Sequence, residues 1–105
     1  MKILNKEVSF DIEEAENLDK VVELDIKYQE KLKDATTMLE QCKVYKDFFD
    51  ELIGAGTSDM LFGEKNRISE LIDAYMEIFN ATEKFANDIN EKRKLIDSKI
   101  ERYKR

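Results

Sequence analysis

Gly54-Ala55-Gly56-Thr57-Ser58-Asp59-Met60-Leu61-Phe62-Gly63 holds every glycine of this 105-residue chain, which contains no proline. Glycine ends helices because it reaches left-handed backbone angles without a Cβ clash, and proline breaks them from within. With the breakers gathered in one segment, the stretches on either side are free to run as long helices. Folding the chain back at this segment predicts a mainly α protein: a long antiparallel helical hairpin with a short N-terminal β-hairpin or arm. Its parts are a β arm over 1–12, helix 1 over 13–53, a turn with a short helical segment over 54–65, and helix 2 over 66–103, all in one domain, 1–105.

In helix 1, Leu18, Val21 or Val22, Tyr28, Leu32, Ala35, Leu39, Cys42, Tyr45, Phe49 and Leu52 recur mostly at three- and four-residue steps, the apolar stripe of a packed helix. Helix propensity dips at Asp34-Ala35-Thr36-Thr37, and a kink there would turn the hairpin into three helices. Helix 2 opens with Asn66 as its N-cap. Its stripe of Ile68, Ile72, Tyr75, Phe79, Thr82, Ala86, Ile89, Arg93, Ile96, Ile100 and Tyr103 alternates steps of four and three, a heptad seam. Between the helices, Thr57 or Ser58 caps a short turn that Gly63 ends. At the start of the chain, Val8, Phe10 and Ile12 alternate with polar residues as in a half-buried strand, with Asn5-Lys6 as the turn.

Charge gives the hairpin its expected register. Residues 92–105 carry seven Lys/Arg against Asp97 and Glu101, and residues 11–25 carry seven Asp/Glu against Lys20. A turn near residue 60 sets residue i opposite roughly 120 − i, so Glu16 to Asp25 face Lys94 to Lys104. Each surface pair is worth only about 0–1 kcal/mol, but together they disfavour the parallel alternative. Helices of this length form rods near ~60 Å. A two-helix rod cannot cover all its apolar flanks, so a homo-oligomer is expected, joined through Ile68, Ile72, Tyr75, Phe79, Ile89, Ile96 and Ile100.

Composition narrows the chemistry. There is no histidine, which removes the commonest general base and metal ligand, and the single Cys42 allows neither an internal disulfide nor a cysteine metal site. Cys42 lies on the apolar stripe, where a thiol acts as a small hydrophobe. Gly54-x-Gly56 lacks the Gly-Lys-Ser/Thr that a phosphate loop needs. The expectation is a protein that is not an enzyme, with no cofactor, metal or catalytic residue. No apolar run approaches the ~20 residues of a membrane span, and residues 1–12 do not resemble a signal peptide. No membrane contact and a cytoplasmic setting are expected. A net charge of −6 makes nucleic acid an unlikely partner for the whole molecule. The cations Lys92, Arg93, Lys94, Lys99, Arg102, Lys104 and Arg105 instead suit a helix C-terminus. Phe48, Phe49, Met60, Leu61 and Phe62 gather at the hairpin tip, either as a small core or as an apolar anchor for a partner.

The segments Val8-Ser9-Phe10-Asp11-Ile12, Ala15-Glu16-Asn17, Phe48-Phe49-Asp50, Gly54-Ala55-Gly56-Thr57 and Leu61-Phe62-Gly63, with the Cys42 helix between them, carry a resemblance. The chain resembles a family of small proteins of unknown function encoded by phages and prophages of Gram-positive bacteria. That resemblance implies a non-catalytic structural or assembly-interaction role, as a tail component or tail-assembly chaperone in the host cell or on the virion, with phage tail proteins as partners. Two other classes remain open. One is a secreted helical hairpin similar to the WXG family, with Leu61-Phe62-Gly63 in place of the Trp-x-Gly turn. The other is a DNA-associated regulator using the basic helix end.

Overall fold

The computed structural model describes the backbone of residues 1–104 and the side chains of residues 1–103; the Lys104 side chain and Arg105, the last cations of the basic run, lie outside the described residues. The elements are β1 (Lys2–Ile3), β2 (Lys6–Glu7), α1 (Ala15–Asp34), α2 (Met38–Leu52), α3 (Thr57–Phe62) and α4 (Ile68–Lys104). The mainly α class with a short N-terminal β-hairpin is as expected, but the strand expected at Val8, Phe10 and Ile12 is not there: pairing stops at Glu7, and those residues run on as irregular chain. The route of the chain through it differs in three places.

The first is the hairpin turn. Lys2 pairs with Glu7 and Ile3 with Lys6, which leaves Leu4 and Asn5 at the turn, both at positive φ. The turn is therefore one residue earlier than Asn5-Lys6. This register sends Ile3 into the core and lets the Leu4 amide donate to the Glu77 carboxylate on α4 at 2.7 Å.

The second is the first long helix, which is two. Ala35 and Thr37 are both extended, and Thr37 caps α2 by accepting from the Glu40 amide at 3.1 Å. Glu40 reaches back to the Thr36 amide and hydroxyl, at 2.7 and 3.1 Å. Such a reciprocal cap satisfies donors that a helix start otherwise leaves bare. Continuing α1 would forfeit it. The kink anticipated at Asp34–Thr37 is thus a full break, and the chain reverses there as well as near residue 60.

The third is register. The Tyr75 hydroxyl donates to Asp25 at 2.7 Å, so residue i of α1 lies opposite about 100 − i on α4 rather than 120 − i. Asp11, Ile12 and Glu13 consequently border a cleft with Ala81, Lys84, Phe85 and Asp88. Among the described residues the ion pairs are Met1–Glu7, Lys27–Glu51, Arg67–Glu70 and Lys94–Glu91, and none joins the acidic start of α1 to the basic end of α4. The long-range acid–base pairing expected from the sequence does not form.

What forms instead is a bundle of α1, α2 and the first half of α4, closed by α3 and the β-hairpin. Its core joins Val21, Leu24 and Tyr28 of α1 to Cys42, Phe48, Phe49 and Leu52 of α2 and to Leu71, Ala74, Tyr75 and Ile78 of α4. Leu61 and Phe62 of α3 and Ile3, Val8 and Phe10 of the N-terminal segment complete it. Two long-range contacts anchor α3. Asp50 accepts from the Ser58 amide and hydroxyl at 2.8 and 2.9 Å, and the Lys6 ammonium donates to the carbonyls of Met60 and Leu61 at 3.2 and 2.8 Å. A carboxylate thus sits at the positive end of α3 and a cation at its negative end. Gly56, at φ +90°, starts α3, and Gly63, at φ +64°, ends it.

Candidate functional site

Tip residues Phe48, Phe49, Leu61 and Phe62 are buried, and only Met60 is exposed. Phe49 meets Phe62 edge-on at 5.4 Å, and Phe48 meets Tyr75 at 4.7 Å. The five residues therefore do not form an apolar anchor: four of them are the core, because the break at residue 35 lets α1 and α4 close over them. Met60 alone remains on the surface, outside that core.

The heptad face divides in the middle of α4. Ile68, Tyr75 and Phe79 pack against the molecule's own core, Ile72 is partly exposed, and Ile89 is half-buried. The buried stripe is rotated by about one residue from the heptad reading, through Leu71, Ala74, Tyr75 and Ile78. Ile96 and Ile100 are exposed, and so are Leu95 and Tyr103, the latter 91% exposed. Every residue from Asn90 to Tyr103 is exposed. This arm, about 20 Å long at the helical rise, leaves the bundle as a single helix. It carries Lys92, Arg93, Lys94, Lys99 and Arg102 along with its four large apolar side chains.

At the root of the arm is a cleft of about 370 Å³ between residues 11–13, just ahead of α1, and α4. Half-buried Ile12, Ala81 and Phe85 floor it, and exposed Asp11, Glu13, Lys84 and Asp88 rim it. Asp11 is held there by its own helix start: its carboxylate accepts from the Glu13 amide at 3.0 Å, and its carbonyl accepts from the Asn17 side chain at 2.7 Å. A larger open cleft of about 630 Å³ lies between the hairpin turn and α4, lined in part by Leu4, Lys6, Asp73, Met76 and Glu77.

The buried polar groups are structural in geometry. The Tyr28 hydroxyl donates to Glu51, which also accepts from Lys27 at 2.8 Å. Gln29 donates to the Tyr75 hydroxyl at 3.1 Å. Burial, and then the hydrogen bond to Glu51, push the Tyr28 hydroxyl well above the usual tyrosine range. Burial and the Asp25 hydrogen bond do the same at Tyr75. A nucleophile or proton donor is activated by the opposite shift, so neither tyrosine is tuned for chemistry. Cys42 is buried, without the exposed electropositive setting of a reactive thiol. Among the described residues, no three His, Cys, Asp or Glu side chains converge as a metal site, and no helix is long and apolar enough to cross a membrane.

Fold and surface together define a small helical bundle whose one long helix overruns the body and presents a cationic, apolar arm. The chain belongs to a family of unknown function, DUF6673, whose model it matches over residues 4–105. No curated protein and no solved structure gives a match.

Proposed function

We propose that this is a non-catalytic structural or assembly-interaction protein that works by helical self-association and by docking apolar segments of a partner. The supporting observation is the arm itself. Leu95, Ile96, Ile100 and Tyr103 are all exposed, on a helix stretch that nothing among the described residues covers. Exposed apolar side chains grouped on one element mark interaction surfaces, and an unpacked helix of this length is marginal in water. The resemblance to phage and prophage proteins supplies a setting, as a tail component or tail-assembly chaperone in the host cytoplasm. In that setting the arm shields hydrophobic segments of tail proteins or joins copies into a larger assembly.

Light scattering behind size exclusion tests the reading. The wild type is expected at a multiple of 12.4 kDa, and Ile96→Asp/Ile100→Asp at the monomer mass with unchanged helicity. A wild type that stays monomeric at every concentration sinks self-association.

A second reading is favoured by the missing acid–base pairing. With no α1 carboxylate on them, Lys92, Arg93, Lys94, Lys99 and Arg102 form an exposed cationic stretch fit for a nucleic-acid backbone. It predicts DNA binding that weakens steeply with salt and is lost in Lys92→Glu/Arg93→Glu/Lys94→Glu. No DNA retention even at low salt removes it.

A further inference from the structure

We propose that the occupant of the arm is a second copy of the chain, with the arms exchanged: residues 94–101 of each protomer lie against the other's cleft between residues 11–13 and α4. This inference rests on the self-association reading and specifies its geometry.

Charge selects this partner. Residues 91–105 carry seven Lys/Arg against three acids, whereas residues 1–90 carry eleven against twenty-one. The arm is thus a cation attached to an anionic body, and its own body is out of reach because the arm points away along the α4 axis. A second body offers the same anionic surface. The cleft repeats the pairing locally, with an apolar floor of Ile12, Ala81 and Phe85 inside a rim whose acids Asp11, Glu13 and Asp88 outnumber its one lysine, Lys84. Opposite potentials across a shared apolar contact give register and attraction together.

Length agrees as well. The α4 residues of the cleft, Ala81 to Asp88, precede Glu91 by the same interval that residues 94–101 follow it. Two α4 helices crossing antiparallel about a two-fold axis near Glu91 therefore lay each arm over the other's cleft. Lys94 comes opposite Asp88 at the rim of the cleft, while Lys99 opposite Glu83 and Leu95 opposite Asn87 meet on the neighbouring side of α4, outside the cleft lining. A two-fold axis makes the contact twice, once in each direction, from a single self-complementary surface. Pairing the arms side by side in parallel is the poorer solution. It brings two cationic segments together, and residues 90–103 span about two heptads where stable coiled coils need about three to four.

A charge-swapped pair tests the exchange. Lys94→Glu/Lys99→Glu reverses the arm, and Glu13→Lys/Asp88→Lys reverses the cleft; all four residues are exposed, so the fold itself is spared. Each variant alone is expected to dimerise at least ~tenfold more weakly than wild type in low salt, while their equimolar mixture regains the wild-type mass by light scattering. Only the mixed dimer sets both arms on oppositely charged clefts. Two variants that each dimerise like wild type overturn the exchange and leave self-association standing, as does a mixture that regains nothing. A monomeric wild type overturns both. Independently of charge, Asn87→Cys/Leu95→Cys is expected to give a disulfide-linked dimer on mild oxidation, with Cys42 buried. Equal cross-linking by Leu95→Cys alone indicates parallel arms and overturns the proposal.

Discussion

Phe48 has no exposed surface and stands edge-on to Tyr28 at 5.8 Å, to Phe49 at 5.3 Å and to Tyr75 at 4.7 Å. It joins α1, α2 and α4 through one ring. Phe48→Ala is expected to cost about 3–5 kcal/mol, read from urea unfolding, since three neighbours fixed on separate helices cannot collapse into the cavity. The tyrosines beside it make stability sensitive to base. Their ordinary value is 10.0, and the folded protein holds both well above it, mainly by burial. Up to about pH 10 neither state loses the protons; above it the unfolded chain ionises and the folded one does not, so stability falls as pH rises. Tyr28→Phe/Tyr75→Phe is expected to flatten that alkaline loss in melting temperature. At the acid end, the hydrogen bonds from Lys27 and Tyr28 lower the Glu51 carboxyl. Its contribution is present above the ordinary carboxylate range and fades as pH falls through the depressed folded value. The burial of Phe48 was half-visible in the sequence, where the tip cluster reads equally as core or anchor. Which it is depends on what covers it, and no local pattern states that.

At the scale of elements, the break between α1 and α2 rests on Thr37 and Glu40. The sequence Thr37-Met38-Leu39-Glu40 has the spacing of a capping box. It was the legible signal for the break, stronger than the propensity dip from which the kink was anticipated. Thr37→Ala is expected to cost about 1 kcal/mol in thermal unfolding. The unbroken α4 was equally legible, from its lack of breakers, and so was the end of α3 at Gly63, but α3 starts at Gly56 rather than under a Thr57 or Ser58 cap. The split character of α4 was not. Its heptad steps continue without interruption from the packed half into the arm, so the pattern is the same where a partner is inside the chain and where it is not. Amide hydrogen exchange should separate the halves, with residues 71–82 protected to near the global unfolding free energy and residues 91–103 exchanging far faster. Uniform protection along α4 in a dilute monomer would mean that the arm is covered after all.

The whole molecule measures 61 × 29 × 21 Å, with a Cα radius of gyration of 17.3 Å. A compact chain of this length has about 13 Å, and the excess is the arm. Small-angle scattering at the lowest workable concentration is expected to give a radius close to the elongated monomer's, rising with concentration as copies join. A radius near the compact value would mean that the arm folds back onto the body.

The sequence by itself determined the mainly α class, an extended start to the chain, the unbroken α4 and the pull between an acidic body and a basic end. These follow from interactions that reach three or four residues along the chain, or from counting charge. Only the tertiary structure decided register: α1 meets α4 about twenty residues earlier than charge alone suggested, from the pairing of Asp25 with Tyr75. Surface ion pairs contribute about 0–1 kcal/mol each, whereas each buried aromatic ring contributes on the order of 1.5–3 kcal/mol. The cluster of Tyr28, Phe48, Phe49 and Tyr75 therefore outweighs the charges, closes over the tip, and, among the described residues, leaves the basic end unpaired with the acidic start of the chain.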